Sequence, residues 1–373
     1  MCSSDLESHV EKYKCPVCGL EKNTIKTYTP LGFSVNFRSS IKDYNGSGDW
    51  VAQNYASQLE YSITRTQFEP IPNSNIIVHA NNDAHIFLLN DNAGKGFNFS
   101  YDQKSYSWVV PEIHDAHGES GNFSSDESET VGLLADKTTG ILCLRFKEIP
   151  QELDLDPTKP IVRSAFISMG YLLRKAACDY LDIDLAELNV DFRIVSDNGQ
   201  VGELFFSDAM ENGSGFCKYL FDKKEDFKAN LLEAFSNPQK NTNFWKMFQT
   251  HKCFLACYDC IKDYSNLFYH DLLNWRLGID MIYLAQHKGC IIGFDLPHWK
   301  NLLQDHFPRV KDSSKLIVEK NSKMLICHPL WSDNYVEDLK KQYGIEEYDP
   351  ISIFSFISEN KGIDPKSLRI ENI

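Results

Sequence analysis

The hydrophobic pattern is clearest between residues 160 and 181, where apolar residues recur at steps of three and four. These positions are Val162, Ala165, Phe166, Met169, Leu172, Leu173, Ala176, Ala177 and Tyr180. Such spacing puts them on one side of an α-helix, so it predicts a long helix packed on a core. Two β-branched and aromatic runs follow, at 187–196 and 201–209, and the DNGQ between them predicts a hairpin.

The stretch from 27 to 150 has a strand-like pattern instead. Its runs at 76–80 and 85–91 are separated by Asn-Asn-Asp, which predicts a turn. An acidic, Ser-rich segment at 117–130 predicts a mobile loop. After the hairpin the chain is expected to be mostly helical to about residue 288.

The tail alternates two types of element. Short strands are predicted at 290–295 and 323–331, and helices at 297–307 and 335–343. The pattern as a whole predicts a mixed α+β protein. Its expected parts are a partial zinc-ribbon-like segment at 1–26, a β-rich region at 27–150 and an α/β zinc-holding domain at 151–373.

The composition and charge limit the classes of function that the chain can have. The net charge is −14, whereas a protein that grips phosphates over a broad face usually has a basic excess. If the chain meets nucleic acid, the contact is expected to be local, transient or made mainly by a partner. The simpler interpretation of the negative charge is solubility. No run of about 18 apolar residues occurs, and the polar first residues do not resemble a secretory signal. A cytoplasmic, non-membrane protein is expected.

One glycine-rich segment invites comparison with phosphate-binding loops. NAGKGFNF (92–99) contains GKG but lacks the spaced glycine and the following Ser or Thr of such a loop. It predicts a turn between strands. The sequence therefore predicts no ATP-hydrolysing machinery in this chain.

The eleven cysteines include one group with the spacing of metal ligands. Cys253, Cys257 and Cys260 form CxxxCxxC, and sulfurs at this spacing can converge on one tetrahedral Zn²⁺. Cys217, which follows a glycine-rich turn, is the leading fourth ligand. His270, Cys290 or the pair Cys15 and Cys18 are the alternatives. Four protein ligands would leave no position for water, so the predicted role is structural.

A second, partial metal site is predicted near the start of the chain. Cys15 and Cys18 lie in CPVCG, a sequence suited to a tight turn that aims two sulfurs at one ion. One pair supplies half of a tetrahedral site. The other interpretation is two ordinary thiols in a turn.

The segments that flank the main cysteine group carry a longer motif, FFSDAMENGSGFC (205–217) and IKDYSNLFYHDLLNWRLGIDM (261–281). Together they resemble a domain of unknown function found at the C-terminal end of DEAD/DEAH-type helicases of the mitomycin repair factor A family. It also occurs in DrmB, the partner of the DrmA helicase in DISARM phage defence. The matching positions are Asp208, Glu211, Asn212, Gly213, Gly215, Cys217, Cys253, Cys257, Cys260, Tyr264, Asn266, His270, Leu273, Trp275 and Arg276.

The resemblance covers residues 155–335, including HPLW (328–331), with mild departures. Ser214 and Phe216 replace the usual Ala and Tyr, and Asn274 stands where Asp is common. The resemblance implies association with a DEAD/DEAH-type helicase in trans rather than a defined reaction. The chain is then either a stand-alone subunit or a portion of a longer protein.

Two functions follow as hypotheses. In the first, the chain is a non-catalytic zinc-stabilised module that binds a helicase in phage defence or DNA repair. Asp208 and Asn266 would then cap helices or bond the glycine turn, and His270 would pack against the cysteine loop. In the second, Asp208, Glu211, His270 and Asp271 converge on a hard cation and form a nuclease or phosphodiesterase.

Overall fold

The computed structural model describes part of the chain. The described residues are 12–14, 21–23, 26–28, 55–59, 63–90, 96–102, 107–109, 123–197, 199–307, 316–360 and 370–372. Cys15, Cys18 and the predicted turn at 92–95 lie outside them. Within them strands and helices are mixed, so the predicted α+β class is confirmed.

The element bounds are as follows. The strands are β1 Lys12–Lys14, β2 Glu21–Asn23, β3 Lys26–Tyr28, β4 Tyr55–Leu59, β5 Glu69–Pro70, β6 Ile76–Asn90, β7 Phe97–Asp102, β8 Ser107–Val109, β9 Phe123–Phe146, β10 Leu188–Ser196, β11 Gln200–Asp208, β12 Ile317–Glu319, β13 Met324–Cys327, β14 Asp349–Ser352 and β15 Ile370–Asn372. The helices are α1 Pro160–Leu181, α2 Phe216–Asp222, α3 Lys224–Phe227, α4 Thr242–Thr250, α5 Trp275–Gln286, α6 Pro297–His306, α7 Asp333–Tyr343 and α8 Ile353–Glu359.

The chain divides into two compact units. The first unit comprises Met1–Ser62 and Asp83–Thr139, and the second comprises Ile63–Asn82 and Gly140–Ile373. The predicted boundaries at 26 and 150 stay predictions. In the described part of the chain, no helix is both long and apolar enough to cross a bilayer.

The first unit is built from strand pairs. β4 pairs antiparallel with β6, β7 pairs antiparallel with β8 and β9, and β3 pairs parallel with β9. The loop predicted at 117–130 is wrong over 123–130, because these residues belong to β9, where Phe123, Ser128, Glu129 and Thr130 pair with β7. Residues 117–122 lie outside the described part of the chain. An acidic, Ser-rich composition disfavours strands only weakly, and sheet pairing overrides it here.

The turn predicted between residues 80 and 85 is also wrong, because β6 runs unbroken from Ile76 to Asn90. Asn and Asp favour turns through hydrogen bonds from their own side chains. Pairing with β5 before the Asn-Asn-Asp triplet and with β4 after it keeps the backbone extended. The ladder therefore outweighs the local preference.

In the second unit α1 confirms the predicted helix. Pro160 occupies the first helical position, and Asp182 ends the helix in the left-handed conformation with φ of 54°. The predicted hairpin is confirmed as β10 and β11, and β11 also pairs with residues 141–144 of β9. The apolar side of α1 lies in the core of this unit.

Helix α5 packs directly on α1. A Cβ at Gly278 would lie 2.9 Å from the Ser168 carbonyl carbon and 2.8 Å from a Leu172 methyl carbon. Only glycine permits such a close approach of two helices without a shift of backbone. This contact fixes the start of α5 relative to the core.

The C-terminal part of the second unit contains a small sheet in the order β14-β13-β12-β15. The helices predicted near 297–307 and 335–343 are confirmed as α6 and α7. No strand forms at 290–295, contrary to prediction. Ile292 and Phe294 are buried there without sheet pairing, and the Ile292 carbonyl accepts a hydrogen bond from Trp331 Nε1 at 2.7 Å.

Candidate metal centre

The cysteine group lies in the segment that joins α4 to α5, residues 251–274, here called the metal loop. Asn241 starts α4 by accepting hydrogen bonds from the backbone N–H groups of residues 243 and 244, and α4 ends at Thr250. The chain then turns at Cys257, whose carbonyl accepts from the N–H groups of Cys260 and Lys262. The Cys257 N–H points at Cys260 Sγ, 3.1 Å away. This turn aims both sulfurs inward.

Four donor side chains converge in this loop: His251, Cys253, Cys257 and Cys260. Their donor atoms all lie within 4.8 Å of one another. Cys253 Sγ is 3.7 Å from Cys260 Sγ, and His251 Nε2 is 3.5 Å from Cys257 Sγ and 2.9 Å from Cys253 Sγ.

These distances suit a tetrahedral zinc site. Zn–S bonds of about 2.3 Å and a Zn–N bond of about 2.0–2.1 Å imply S···S edges of about 3.8 Å and S···N edges of about 3.6 Å. The 3.7 Å and 3.5 Å separations match these edges, and the 2.9 Å separation is shorter. Three thiols and one imidazole form a donor set that Zn²⁺ commonly takes.

The protonation state of the cysteine sulfurs also favours the binding of a metal cation. A hydrogen bond from the Cys253 thiol, together with the Cys257 N–H and against the effect of burial, lowers the pKa of Cys260 to about 5. The same hydrogen bond raises the pKa of Cys253. One thiolate is therefore present at neutral pH, and the thiolate is the form that binds metal.

The fourth donor differs from the one expected. His251 occupies the place predicted for Cys217, and His270 and Cys290 are not in the donor group either. The sequence signal was present, since His251 lies two residues before Cys253 and extends the motif to HxCxxxCxxC. The cysteine spacing alone did not indicate this histidine.

Cys217 has a different environment. It is buried at the start of α2, and burial together with the nearby Asp208 carboxylate raises its pKa well above the ordinary value. Cys217 therefore lies beside a carboxylate and outside the donor group of the metal loop.

Substitutions at His251 and Cys217 separate the two assignments. We expect His251→Ala to weaken zinc binding about 100-fold, since one of four ligands carries roughly 3 kcal/mol of a typical structural zinc site. His251→Cys should retain zinc, and Cys217→Ser should leave the affinity unchanged. Competition with a chelating dye measures this. Loss of zinc in Cys217→Ser with zinc retained in His251→Ala would reverse the assignment.

The glycine-rich turn between β11 and α2 is a structural device. Asn212, Gly213 and Gly215 have φ of 65°, 75° and 84°, in the left-handed region that favours glycine. The Asp208 carboxylate accepts hydrogen bonds from the Gly215 N–H at 2.7 Å and the Cys217 N–H at 3.0 Å. Asp208 thus bonds the turn and the first backbone N–H groups of α2.

Asp208→Ala is expected to lower the free energy of unfolding by about 2–3 kcal/mol, because the Gly215 N–H and the buried Cys217 N–H both lose a carboxylate acceptor. Urea unfolding measures the change. The control is Asp222→Ala, which removes a half-exposed carboxylate paired with Lys218 and should cost less than about 0.5 kcal/mol. Equal effects of the two substitutions would refute the capping role.

Asn266 and His270 are also bonded within the metal loop. Asn266 is fully buried, accepts from the Asp263 N–H at 2.9 Å and donates to the Ile261 carbonyl at 2.8 Å. His270 Nε2 lies 3.1 Å from the Asp263 carbonyl and 3.0 Å from Asn266 Oδ1, so it donates to both. The His270 ring also contacts the Tyr258 ring edge-on, at 5.6 Å between centroids.

The start of α5 holds the other end of the metal loop. Asn274 caps this helix by accepting from the N–H groups of Arg276 and Leu277, so Asn performs the capping that Asp would. The Cys253 carbonyl accepts from Trp275 Nε1 at 3.1 Å and from Arg276 Nη1 at 2.8 Å. Burial lowers the pKa of Arg276 to about 10, which leaves the guanidinium charged at neutral pH.

Glu211 and Asp271, the remaining residues of the nuclease hypothesis, are both exposed. Among the described residues, the donor group close enough to share an ion contains neither of them, nor Asp208 or His270. Both Asp208 oxygens and His270 Nε2 instead form hydrogen bonds to backbone groups. The structure therefore offers this hypothesis no assembled site.

A second buried polar cluster, here called the Asp280 cluster, lies beyond Arg276. The fully buried Asp280 carboxylate accepts from His298 Nε2 at 2.7 Å, His328 Nε2 at 3.1 Å and Trp299 Nε1 at 3.0 Å. Burial alone would raise the pKa of Asp280, but the two imidazoles hold it below its ordinary value. The cluster joins α5, α6 and the HPLW segment. No sequence pattern suggested it.

Comparison with known proteins gives little information about the function of this site. No protein-family model and no curated protein match the chain. It is similar to a crystal structure of the DUF1998 helicase MrfA bound to DNA, with a TM-score of 0.36 and 15% identity over 63% of this chain and 25% of the helicase. MrfA bound to DNA and AMPPNP gives a TM-score of 0.29 and 12% identity over 62% and 22%. The chain spans about a quarter of that helicase, and likeness at this level is too low to transfer a function.

Proposed function

We propose that this chain is a zinc-stabilised, non-catalytic accessory domain or subunit of a DNA helicase system, in a DrmB-like or mitomycin-repair setting of phage defence or DNA repair. The ion is Zn²⁺, held by His251, Cys253, Cys257 and Cys260. It supplies a cross-link for the loop, since four protein ligands leave no open coordination position. The partner is a DEAD/DEAH-type helicase in trans, and this chain contacts nucleic acid mainly through that helicase.

The observation that carries the proposal is that the polar residues of the motif bond to the backbone around the cysteines. Asn266, Trp275 and Arg276 all belong to the helicase-associated motif, and all three bond to backbone of the metal loop. Asp208 bonds the glycine turn in the same way. The polar side chains of this motif form hydrogen bonds to backbone groups, so they hold the local structure rigid. Such an arrangement is typical of a binding surface rather than of a catalytic site. This supports a binding role.

The test is a tagged pull-down of the full chain from its native host at modest salt, with mass spectrometry and metal analysis of the eluate. We expect a DEAD/DEAH-type helicase in near-equal amount and one zinc per chain. Cys257→Ser should lose both, whereas Cys290→Ser, a cysteine outside the donor group, should retain both. Recovery of folded, zinc-loaded chain alone would contradict the partner assignment.

A further inference from the structure

A continuous path of hydrogen bonds joins the metal loop to the Asp280 cluster. Arg276 is its centre, because Nη1 donates to the carbonyls of Cys253 and Phe254, at 2.8 Å each, while Nε donates to the His298 carbonyl at 3.1 Å. The His298 ring in turn bonds Asp280. One guanidinium therefore spans the backbone of a metal ligand and the backbone of α6.

Every side chain on this path is buried. Arg276 is 1% exposed, His298 4% and Asp280 fully buried. In such surroundings each bond constrains the next, because a shifted partner would leave a buried polar group unsatisfied. The His298 ring bonds Asp280 and the His298 carbonyl bonds Arg276, so both contacts hold the same residue in the first turn of α6.

From this geometry we propose that Asp280 is a positioning residue for the metal centre and acts through His298 and Arg276. Asp280 fixes the start of α6, the His298 carbonyl fixes Arg276, and Arg276 fixes the backbone of the first cysteine ligand. Zinc binding and the integrity of the Asp280 cluster then form one coupled unit. The inference rests on the proposed zinc binding at His251, Cys253, Cys257 and Cys260.

Coupling of this kind is reciprocal. If the intact Asp280 cluster raises zinc affinity by some factor, bound zinc must favour the intact cluster by the same factor. A contiguous path alone does not establish coupling, so the test must measure an interaction between sites. A double-mutant cycle does so, because two substitutions on one path give non-additive effects.

The experiment measures zinc affinity by competition with a chelating dye for the full chain and for Asp280→Asn, Arg276→Lys and the double variant. We expect Asp280→Asn to weaken zinc binding about 10-fold, within the usual range of coupling. Arg276→Lys should have a similar effect, because the single lysine nitrogen cannot take the positions of both Nε and Nη1. The double variant should be no weaker than Arg276→Lys alone, since the path is already cut.

The control separates coupling from general destabilisation. Glu319 is a buried carboxylate that accepts from the Asn321 and Ser322 N–H groups in the turn after β12. Glu319→Gln makes the same chemical change as Asp280→Asn, and zinc affinity should stay unchanged. If Asp280→Asn does not fold, Trp299→Phe removes one donor from Asp280 and should weaken zinc at least about threefold.

The outcomes distinguish the inference from the proposed function. Wild-type chain that binds no zinc refutes the zinc site itself. Tight zinc binding by the wild type, with Asp280→Asn or Trp299→Phe of equal affinity, refutes the coupling alone. Equal weakening by Glu319→Gln, or additive effects in the double variant, also refutes it.

Discussion

Replacement of Cys257 by serine is expected to abolish tight zinc binding and to unfold the metal loop. A structural zinc site of this type supplies on the order of 10–16 kcal/mol of metal-coupled folding free energy. That is comparable with the whole stability of an ordinary domain, about 5–15 kcal/mol. Removal of the Cys257 thiolate is expected to forfeit most of this free energy, since the thiolate is the form that binds metal, and removal of the ion with a chelator costs all of it.

The measurement is circular dichroism and thermal unfolding of the variant, with and without added zinc. Cys290→Ser is the matched control, since both cysteines are half-buried and only Cys257 belongs to the donor group. The control should retain zinc and unfold at the wild-type temperature. A Cys257→Ser protein that stays folded and holds one zinc would show that the site lies elsewhere.

Asp280→Asn is expected to produce the second large effect, a loss of about 3–5 kcal/mol in the free energy of unfolding. Three donors converge on the Asp280 carboxylate, and an amide can offer only one oxygen to them. Its NH₂ group would face another N–H donor. Urea unfolding at neutral pH measures the loss, and the exposed Asp338→Asn should change stability by less than about 0.5 kcal/mol.

The same carboxylate gives a pH dependence with a definite sign. Because the pKa of Asp280 is held below its ordinary value, its stabilising contribution is present above the unfolded pKa of about 3.9. It is lost as the pH falls through the lower folded pKa. The difference in stability between wild type and Asp280→Asn should therefore shrink below about pH 4. A difference that grows in acid would contradict the assignment.

The sequence predicted those parts of the fold that depend on local pattern. The spacing of apolar residues predicted helix α1, and the turn residues predicted the β10–β11 hairpin. Both elements are confirmed. The unbroken β6 and the coil at 290–295 could not be predicted in this way. In both places the deciding contacts come from distant segments, namely partner strands in the first and Trp331 in the second.

The candidate metal site was likewise predicted in part. The spacing of Cys253, Cys257 and Cys260 predicted their convergence, because a short turn can bring such sulfurs together. The fourth donor depends on where α4 ends, and this places His251 rather than Cys217 at the site. The Asp280 cluster could not be predicted from the sequence, because His298 and His328 are 18 and 48 residues away from Asp280 along the chain.

The measurement that tests the central claim most directly is zinc K-edge X-ray absorption on the purified full chain, with metal content determined on the same sample. The site described here predicts one zinc per chain, with three sulfurs at about 2.3 Å and one nitrogen at about 2.0–2.1 Å. A shell of four sulfurs would mean that a cysteine such as Cys217 replaces His251. A purely oxygen and nitrogen shell, or folded chain without zinc, would contradict the metal centre altogether.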